Sequence, residues 1–334
     1  MSGSMEIDTT EETYTNENHY NTTLTKLKVS HMVILSGICF LGITGNGLVI
    51  WFVAFRIKKT VNSVWFLSLA FADFIFSLLQ PLAVTSMALD DHWPFGAFMC
   101  KLSTLALYLN MAASILQLTI ISIDRCISVV LPVWCRNHRT VRLAVKVVVV
   151  IWIVSLLLNV SYLINTHTYD IDDTFVSCLE DWSMYDAQVI TRFIVLFLIP
   201  FTIIIFCYIV IFLRIRRNHR PTSTKPFKVI AAVIISFFIC WFPYHVFSIM
   251  YSYGRNRWHH NFLLVILKGV RMSSLLAFSN SCINPLLYVF IGQDFKQKFW
   301  SAIKSAFEST FIEDTNLTDP NKHRFLPNHA INQQ

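Results

Sequence analysis

The sequence predicts an all-α membrane protein, a seven-transmembrane helix bundle with an amphipathic eighth helix on the cytoplasmic surface. Seven apolar runs carry this prediction, because each has roughly the 20 residues that a helix needs to cross a hydrocarbon core about 30 Å thick. In order, they are Val29–Phe55, Val64–Ala88, Phe98–Val130, Val145–Leu163, Val189–Phe212, Val229–Tyr251 and Phe262–Phe290. Composition agrees, since 54% of the 334 residues are hydrophobic and 14% are charged, which is more apolar surface than one soluble core can hide.

Basic residues mark one side of this bundle. They lie in the segments between and after the runs: Arg56, Lys58, Lys59, Arg136, Arg139, Arg142, Lys146, Arg214, Arg216, Arg217, Arg220, Lys225, Lys228, Lys296, Lys298 and Lys304. By the positive-inside rule this side is cytoplasmic. Acidic residues such as Asp90, Asp172 and Asp186 mark the other side, which predicts a multi-pass plasma-membrane protein with an extracellular N-terminus. The net charge of +7 therefore indicates topology and contact with membrane lipids, and not a nucleic-acid partner.

The runs divide the chain into four parts. We expect an extracellular N-terminal tail at 1–28, a seven-transmembrane domain at 29–292, an amphipathic juxtamembrane helix at 293–307 and a cytoplasmic C-terminal tail at 308–334. In the third part, Phe295, Phe299, Ile303 and Phe307 recur every four residues, which is the spacing of a helix lying on the membrane surface. The first 28 residues contain no apolar signal-peptide core, so the first helix itself is expected to direct insertion.

Eight cysteines divide according to this topology. Cys100 and Cys178 alone face the oxidising compartment, which favours one disulfide between them. The other six lie in the runs or near the cytosol, where packing residues or reduced thiols are expected. Asn21-Thr22-Thr23 in the outside tail is a glycosylation sequon, so Asn21 is a candidate for N-glycosylation.

Short motifs follow one another along the runs. They are Gly45-Asn46, Leu69-Ala70-Phe71-Ala72-Asp73, Asp124-Arg125-Cys126, Trp152, Pro200 with Tyr208, Cys240-Trp241-Phe242-Pro243, and Asn284-Pro285 with Tyr288. In this order the chain resembles the rhodopsin-like G-protein-coupled receptors over nearly its whole length. The resemblance implies a signalling receptor and not an enzyme. It agrees with the residues, because no nucleophile with a base, phosphate loop or metal cluster points to catalytic residues.

The resemblance implies an activation switch. Its residues are Asp124, Arg125, Tyr208, Trp241, Pro243, Asn284, Pro285 and Tyr288. Arg125 is expected to pair with Asp124 in the off state and to meet the partner protein in the on state. The segment from Arg214 to Lys228 contains no Asp or Glu, so a salt bridge from Arg125 to the sixth helix is not expected, and the off state is held less tightly. Pro243 and Pro285 predict kinks, because each removes a helical hydrogen bond.

Asp73 lies at mid-membrane, where an isolated charge costs about 3 kcal/mol or more. The resemblance implies a sodium ion as its partner, held by Asp73, Ser114, Asn280 and Asn284. Oxygen ligands of this kind suit a hard cation. The alternative is a hydrated polar cluster that only packs the helices together. No other cofactor is expected.

Further segments resemble the chemoattractant subgroup of this family, which contains formyl-peptide and chemerin receptors. Examples are His92-Trp93-Pro94-Phe95-Gly96, Leu131-Pro132-Val133-Trp134 and Pro243-Tyr244-His245. Formyl-peptide receptors carry an acid and two arginines in their pocket, whereas here Tyr108 and Gln188 stand in place of the acid and the first arginine, and Arg192 remains. The resemblance therefore implies an extracellular peptide or protein ligand that is chemerin-like rather than formylated.

An arginine inside an apolar run is the leading candidate for binding an anionic group of that ligand. The candidate ligand-binding residues are Arg192, Tyr108, Lys268, Arg271, Tyr244 and Tyr251. The guanidinium of Arg192 suits a carboxylate or a peptide carbonyl through paired hydrogen bonds. The alternative is that Arg192 extends to the lipid head groups, so that Lys268 or Arg271 binds the anion instead.

The resemblance also implies the intracellular partners. They are a heterotrimeric G protein of the inhibitory type, receptor kinases, and arrestin for desensitisation. Candidate phosphorylation sites in the polar tail are Ser305, Ser309, Thr310, Thr315 and Thr318, although an inert tail is an alternative. The alternative functions are a formyl-peptide-type receptor and a ligand-scavenging receptor that recruits arrestin without a G protein. A transporter or channel is not supported, since neither an inverted repeat nor a polar pore lining is found.

Overall fold

Helices form nearly all of the chain that the structure, a computed structural model, describes. The described backbone covers residues 5–172, 174–218, 225–255, 257–291 and 301, and the described side chains cover 25–172, 174–181, 184–217, 230–255, 257–259, 262–286 and 301. Within these ranges seven helical segments are long and apolar enough to cross a membrane, which confirms the predicted seven-helix bundle. The predicted eighth helix and the C-terminal tail lie outside the described residues, apart from residue 301.

The helices follow one another with one small hairpin between them. The elements are α1 (Met5–Phe55), α2 (Val61–Ala88), α3 (Gly96–Val130), α4 (Pro132–His138), α5 (Val141–Asn165), β1 (Thr166–Asp172), β2 (Phe175–Glu180), α6 (Trp182–Phe193), a π-helical turn (Ile194–Leu198), α7 (Ile199–Asn218), α8 (Lys225–Gly254) and α9 (His260–Ile291). The segments of membrane length are Thr25–Phe55, Val61–Ala88, Gly96–Val130, Val141–Asn165, Met184–Arg217, Ile230–Gly254 and Phe262–Leu286. The fifth segment is therefore built from α6, the π-helical turn and α7, and the short α4 lies in the loop before the fourth.

Apolar side chains cover the outside of the bundle, and polar side chains lie within it. Phe40 and Leu157 are each 66% exposed, whereas Asn46 and Asp73 are fully buried. This distribution is the one a bilayer requires, because lipid tails surround the apolar side chains while buried polar groups find partners inside the bundle.

Polar contacts join three helices within the bundle. Ser68 on α2 donates a hydrogen bond to Oε1 of Gln117 on α3 at 2.7 Å, and Nε1 of Trp152 on α5 donates to Oγ of Ser68 at 3.1 Å. Elsewhere in the bundle α1 approaches α9 closely. A Cβ atom on Gly45 would lie 3.2 Å from the ring of Pro285, so the glycine makes room for the neighbouring helix.

A β-hairpin covers one end of the bundle. β1 and β2 are antiparallel, with Thr166 opposite Glu180. A disulfide joins Cys100 on α3 to Cys178 on β2, with 5.7 Å between the Cα atoms, and this confirms the predicted pairing. The strands themselves are an addition to the predicted helices. We call this end of the bundle the hairpin end, and the end that carries Arg125 the switch end.

The loop between α2 and α3 packs against the hairpin. The backbone N–H of Trp93 donates to the carbonyl of Val176 at 2.7 Å, and the N–H of Val176 donates to Nδ1 of His92 at 3.1 Å. Gly96 begins α3 with φ of +75°, a conformation in which an L side chain would be strained. Together with the disulfide, these contacts hold β2 and its last residue, Glu180, over the helices.

Candidate functional site

Arg192 lies inside the bundle near the hairpin end, in the last turn of α6. It is 4% exposed, and its Nη1 donates a hydrogen bond to the hydroxyl of Tyr162 on α5 at 3.1 Å. Its guanidinium carbon lies 4.6 Å from the ring centre of Tyr108 on α3 and 5.3 Å from that of Tyr244 on α8. A cation held against aromatic faces is stabilised by about 2 kcal/mol when it is desolvated. We call Tyr108, Tyr162 and Tyr244 the tyrosine cage.

The hairpin brings a carboxylate to this cage. The hydroxyl of Tyr108 donates to Oε1 of Glu180 at 2.9 Å, and the ring of Tyr108 stacks on that of Tyr162 with 3.8 Å between the centres. Burial raises the pKa of the Glu180 carboxyl, and the charge of Arg192 and the hydrogen bond from Tyr108 oppose this only in part. Glu180 is thus an acidic group close to the buried cation, and it was not among the predicted site residues.

A cavity of about 230 Å³ opens beside the cage, between α5 and α6. Arg192, Tyr162 and Gln188 contribute to its lining. Both polar atoms of the Gln188 amide, and Nε of Arg192, have no hydrogen-bond partner among the described residues. A buried polar group without a partner costs about 1–3 kcal/mol, so these groups favour a ligand that supplies one.

The other predicted ligand-binding residues lie outside the cage. Tyr251, two turns beyond the cage on α8, meets the ring of Tyr185 edge-on, with 5.9 Å between the centres. The side chain of Arg271 is 64% exposed and lies 4.0 Å from the carboxylate of Asp91. Lys268 is also exposed on α9. The structure therefore brings Arg192, Tyr108 and Tyr244 together and leaves Tyr251 and the two exposed cations outside this group.

A second group of polar side chains surrounds Asp73, which is fully buried on α2. Nδ2 of Asn284 on α9 donates to Oδ2 of Asp73 at 2.8 Å. The side-chain oxygens that receive no hydrogen bond within the described part of the chain include Oγ of Ser114 and one amide or carboxylate oxygen each of Asp73, Asn280, Asn284, Asn46 and Asn110. Buried oxygens in excess of the available donors are the surroundings that a hard cation requires, so the residues present fit a sodium ion.

Asn110 and Ser281 extend this polar cluster beyond the predicted residues. Nδ2 of Asn110 on α3 donates to Oγ of Ser281 on α9 at 3.1 Å, and Nδ2 of Asn46 donates to the Ser281 carbonyl at 2.7 Å. Asn110 is 4% exposed and Ser281 is 1% exposed. Helical spacing was a usable signal for Asn110, since it precedes Ser114 by four residues and so shares its face.

Four side chains meet at the switch end. Nη2 of Arg125 donates to Oδ2 of Asp124 at 2.7 Å and also to Oδ1 of Asn62. Arg139, in the loop after α4, donates through Nε to Oδ1 of Asp124 at 2.8 Å and through Nη2 to Oδ1 of Asn62 at 2.7 Å. The pairing expected for Asp124 and Arg125 is present in the structure. Asn62 and Arg139 were not predicted to take part, and we call the four residues the switch cluster.

Aromatic rings lead from the cage toward the middle of the bundle. Trp241 is 2% exposed, and its ring centre lies 5.9 Å from that of Tyr244. Nε1 of Trp241 and the hydroxyl of Tyr208 have no hydrogen-bond partner among the described residues. Tyr208 lies close enough to Arg125 for the two side chains to interact electrostatically.

Two prolines of the predicted switch lie within continuous helices. α8 contains Pro243, and α9 contains Pro285. The kinks expected at these positions stay predictions. The side chain of Tyr288 lies outside the described residues, so its part in the switch also stays a prediction.

Comparison with known proteins relates these sites to a family. The family model for 7 transmembrane receptors of the rhodopsin family matches residues 45–288. Chemerin-like receptor 1 of Homo sapiens is 42% identical over 321 residues, which cover 89% of this chain and 82% of that protein. Formyl peptide receptor 2 of Mus musculus is 39% identical over 90% of each chain. The C3a anaphylatoxin chemotactic receptor of Danio rerio is 40% identical over 86% of this chain and 79% of that protein.

The fold and these matches define a class of protein, the membrane receptors that act through G proteins. This chain belongs to the rhodopsin family of seven-transmembrane receptors, as the motifs predicted. It is therefore a multi-pass protein of the plasma membrane that binds an extracellular ligand and acts on a G protein, and it is not an enzyme.

Proposed function

We propose that this receptor binds a chemerin-like peptide or protein at the hairpin end and activates an inhibitory-type G protein at the switch end. The hairpin end then faces the outside of the cell, together with the N-terminus. Basic residues in the segments of the switch end support this orientation. Relatives named as chemerin-like, formyl peptide and C3a chemotactic receptors support a chemoattractant ligand.

The observation that carries the proposal is the buried cation Arg192 in the tyrosine cage. Its Nε and both polar atoms of the neighbouring Gln188 amide have no partner among the described residues. A ligand carboxylate or peptide carbonyl would accept hydrogen bonds from Nε of Arg192 and Nε2 of Gln188, and a ligand N–H would donate to Oε1 of Gln188. The rings of Tyr108 and Tyr244 would pack against the apolar part of the same ligand. Breaking a buried, hydrogen-bonded charge pair costs about 2–5 kcal/mol. The C-terminus of a peptide is thus the chemistry that the cage fits best.

Substitution of Arg192 tests the ligand. Arg192→Ala should weaken binding of a chemerin-derived C-terminal peptide by a factor of about 30 or more. The affinity of Arg192→Lys should lie between those of the parent and Arg192→Ala, because lysine keeps the charge without the forked geometry. Arg257→Ala is the matched control, since it removes the same charge from an exposed position outside the candidate ligand-binding residues. Competition binding with the peptide acid and the peptide amide measures the contribution of the carboxylate. Normal affinity in Arg192→Ala would move the anion site to Lys268 or Arg271.

Coupling to the G protein is proposed to depend on Arg125. Arg125→Ala should keep peptide binding but abolish agonist-driven nucleotide exchange on an inhibitory-type G protein. The reason is that Arg125 is proposed to leave Asp124 and contact the G protein directly. Exchange is measured with purified receptor and G protein at matched receptor amounts. Exchange that persists in Arg125→Ala would contradict the switch role.

Sodium binding and desensitisation complete the proposal. Asp73, Ser114, Asn280 and Asn284 are proposed to hold a sodium ion, which would supply positive charge to the buried carboxylate. Receptor kinases are proposed to phosphorylate the tail at Ser305, Ser309, Thr310, Thr315 and Thr318, and arrestin to bind it there. Glycosylation at Asn21 is proposed for the outside tail.

A formyl-peptide ligand is the second candidate, because formyl peptide receptor 2 of Mus musculus is 39% identical. Formylated and chemerin-derived peptides compared in one calcium-release assay distinguish the two ligands. Inhibition of cyclic AMP formation then separates a signalling receptor from a scavenging receptor, which would recruit arrestin alone.

A further inference from the structure

The switch cluster holds more positive than negative charge. Asp124 supplies one carboxylate, Arg125 and Arg139 supply two guanidinium groups, and Asn62 supplies a neutral amide. The side chain of Asp124 is 14% exposed and that of Arg125 is 10% exposed, so water screens these charges poorly. How Asp124 is divided between the two arginines therefore affects the stability of the off state.

Arg139 makes the more complete contact with Asp124. Its Nε lies 2.8 Å from Oδ1 and its Nη2 lies 3.1 Å from Oδ2, which is the forked geometry of strong arginine–carboxylate pairs. Arg125 contacts Oδ2 through Nη2 at 2.7 Å, and its Nε has no partner within the described chain. Asp124 is thus bound on both oxygens by Arg139 and on one oxygen by Arg125.

Asn62 holds the two arginines side by side. Its Oδ1 accepts hydrogen bonds from Nη2 of Arg125 and from Nη2 of Arg139. The start of α2 keeps Asn62 in place, because Thr60 and Ser63 form a capping box around it. An amide oxygen carries no net charge, so it positions the guanidinium groups without removing the repulsion between them.

We propose that Arg139 is the permanent counter-ion of Asp124 and that it promotes activation by making Arg125 easier to release. This inference rests on the proposed function, in which Arg125 leaves Asp124 to meet the G protein. A poorly exposed carboxylate that loses its single partner is strongly destabilised, but Asp124 stays paired because Arg139 remains. Repulsion between the two guanidinium groups favours release in the same direction.

The sequence between the fifth and sixth membrane segments offers Arg125 no acid to pair with. The stretch from Arg214 to Lys228, which joins α7 to α8, contains basic residues and no Asp or Glu. The off state therefore depends on the switch cluster itself, and a second cation within that cluster loosens it. A simple latch, in which Arg139 holds Arg125 through Asn62, would have the opposite sign, because its loss would raise basal activity.

Nucleotide exchange on a purified inhibitory-type G protein tests the sign. Arg139→Ala should lower basal and agonist-driven exchange by about threefold to tenfold, as expected for coupled residues in one network. The exchange rate of Arg139→Lys should lie between those of the parent and Arg139→Ala, since lysine keeps the charge but cannot form two parallel hydrogen bonds to the carboxylate. Arg136→Ala is the matched control, because Arg136 is an exposed arginine of α4 in the same loop. Higher basal exchange in Arg139→Ala would overturn the inference in favour of a latch.

The same assay in an Asp124→Asn background separates a counter-ion from a direct G-protein contact. A neutral side chain at 124 needs no counter-ion, so Arg139→Ala should have no further effect there. An equal loss in both backgrounds would show that Arg139 contacts the G protein directly, and this would also overturn the inference.

A measurement without G protein keeps this inference distinct from the proposed function. Spin labels on α3 and α8 at the switch end report the distance between the two helices by electron paramagnetic resonance, and we call the agonist-bound receptors with the longer distance the outward population. Arg139→Ala should lower the outward population by about threefold or more. An unchanged population would overturn the inference, whereas a parent receptor that drives no exchange on any G protein would overturn the proposed function.

Discussion

At the residue scale, a buried guanidinium binds a ligand anion only when the surrounding protein does not fully neutralise the charge of the guanidinium. Arg192 meets a hydroxyl and aromatic faces, which satisfy it in part but do not neutralise it. Glu180 supplies a carboxylate whose charge interacts with Arg192 across the tyrosine cage. A ligand carboxylate bound as proposed would therefore enter a site where the receptor already holds one of its own.

This arrangement predicts that lowering the pH strengthens binding of a peptide with a free C-terminus. Burial holds the pKa of Glu180 above its usual value, so Glu180 is neutralised before an exposed peptide carboxyl, whose pKa is about 3.3–3.7. Because the pKa is raised in the folded state, protonation of Glu180 adds to the free energy of unfolding as the pH falls. This contribution to stability is lost as the pH rises through the raised pKa. The bound peptide carboxylate should raise the pKa of Glu180 further. Peptide affinity should therefore rise on acidification by up to about tenfold for each unit of this additional pKa shift.

Three variants check the source of this pH dependence in equilibrium binding. Glu180→Gln should bind the peptide more tightly at neutral pH and respond little to acid. Asp172→Asn should behave like the parent, because Asp172 is exposed and hydrogen bonds from Thr174 lower its pKa. His245, which packs on Phe197 with 4.8 Å between ring centres, also lies near Arg192, so His245→Gln tests whether it titrates instead. A parent-like acid response in Glu180→Gln would contradict the prediction.

The residues differ in how far the sequence predicts them. Arg192 is predictable because a cation within an apolar run is rare, and Asp73 is predictable for the same reason. Glu180, Asn62 and Arg139 are not, because they lie in a hairpin, a first helical turn and a loop, where polar residues are common. Only the tertiary fold brings them to the buried arginines. The one local signal for Glu180 is its position two residues after the disulfide cysteine of β2.

At the element scale, the disulfide makes the hairpin part of the proposed binding site. It ties β2 to α3 two residues before Glu180, and the joined cysteines are 78 residues apart in sequence. Removing a natural disulfide commonly costs about 2–5 kcal/mol. Cys100→Ser should therefore lower surface expression and peptide binding together, as measured by surface antibody staining and saturation binding.

Two further cysteine variants serve as controls. Cys178→Ser should reproduce Cys100→Ser, because either change removes the same bond. Cys135→Ser, in the short α4 at the opposite end, should change neither surface expression nor binding, since its thiol forms no disulfide. Equal losses in Cys100→Ser and Cys135→Ser would count against a special role of the hairpin tether.

Elements made of long apolar runs are predictable, and the others are not. The fifth predicted run begins at Val189, but α6 begins at Trp182, because polar residues such as Asp186 extend the helix beyond its apolar part. The π-helical turn leaves no pattern in the uniformly apolar Ile194–Leu198. The hairpin was missed because β1 is mostly exposed and lacks the alternation of a half-buried strand.

At the scale of the whole molecule, α3 connects the three sites. It carries Tyr108 of the cage, Ser114 of the polar cluster and Arg125 of the switch cluster, a distance of about 25 Å at 1.5 Å per residue. A ligand shifts the balance of two states only through contacts that differ between them. The polar cluster is suited to report that shift, because its oxygens belong to α1, α2, α3 and α9 at once.

Sodium bound in the polar cluster should therefore change the affinity of the receptor for its agonist. Asp73 should be the residue through which sodium acts. We expect peptide affinity in parent receptor to differ by about fivefold or more between sodium and choline buffers of equal ionic strength. Asp73→Asn should remove this difference while keeping the fold, because an amide preserves hydrogen bonds but loses the charge that attracts the cation. Gln80→Ala changes another buried polar residue of α2 and should keep the difference. Sodium dependence that persists in Asp73→Asn would show that the cluster packs helices without binding the ion.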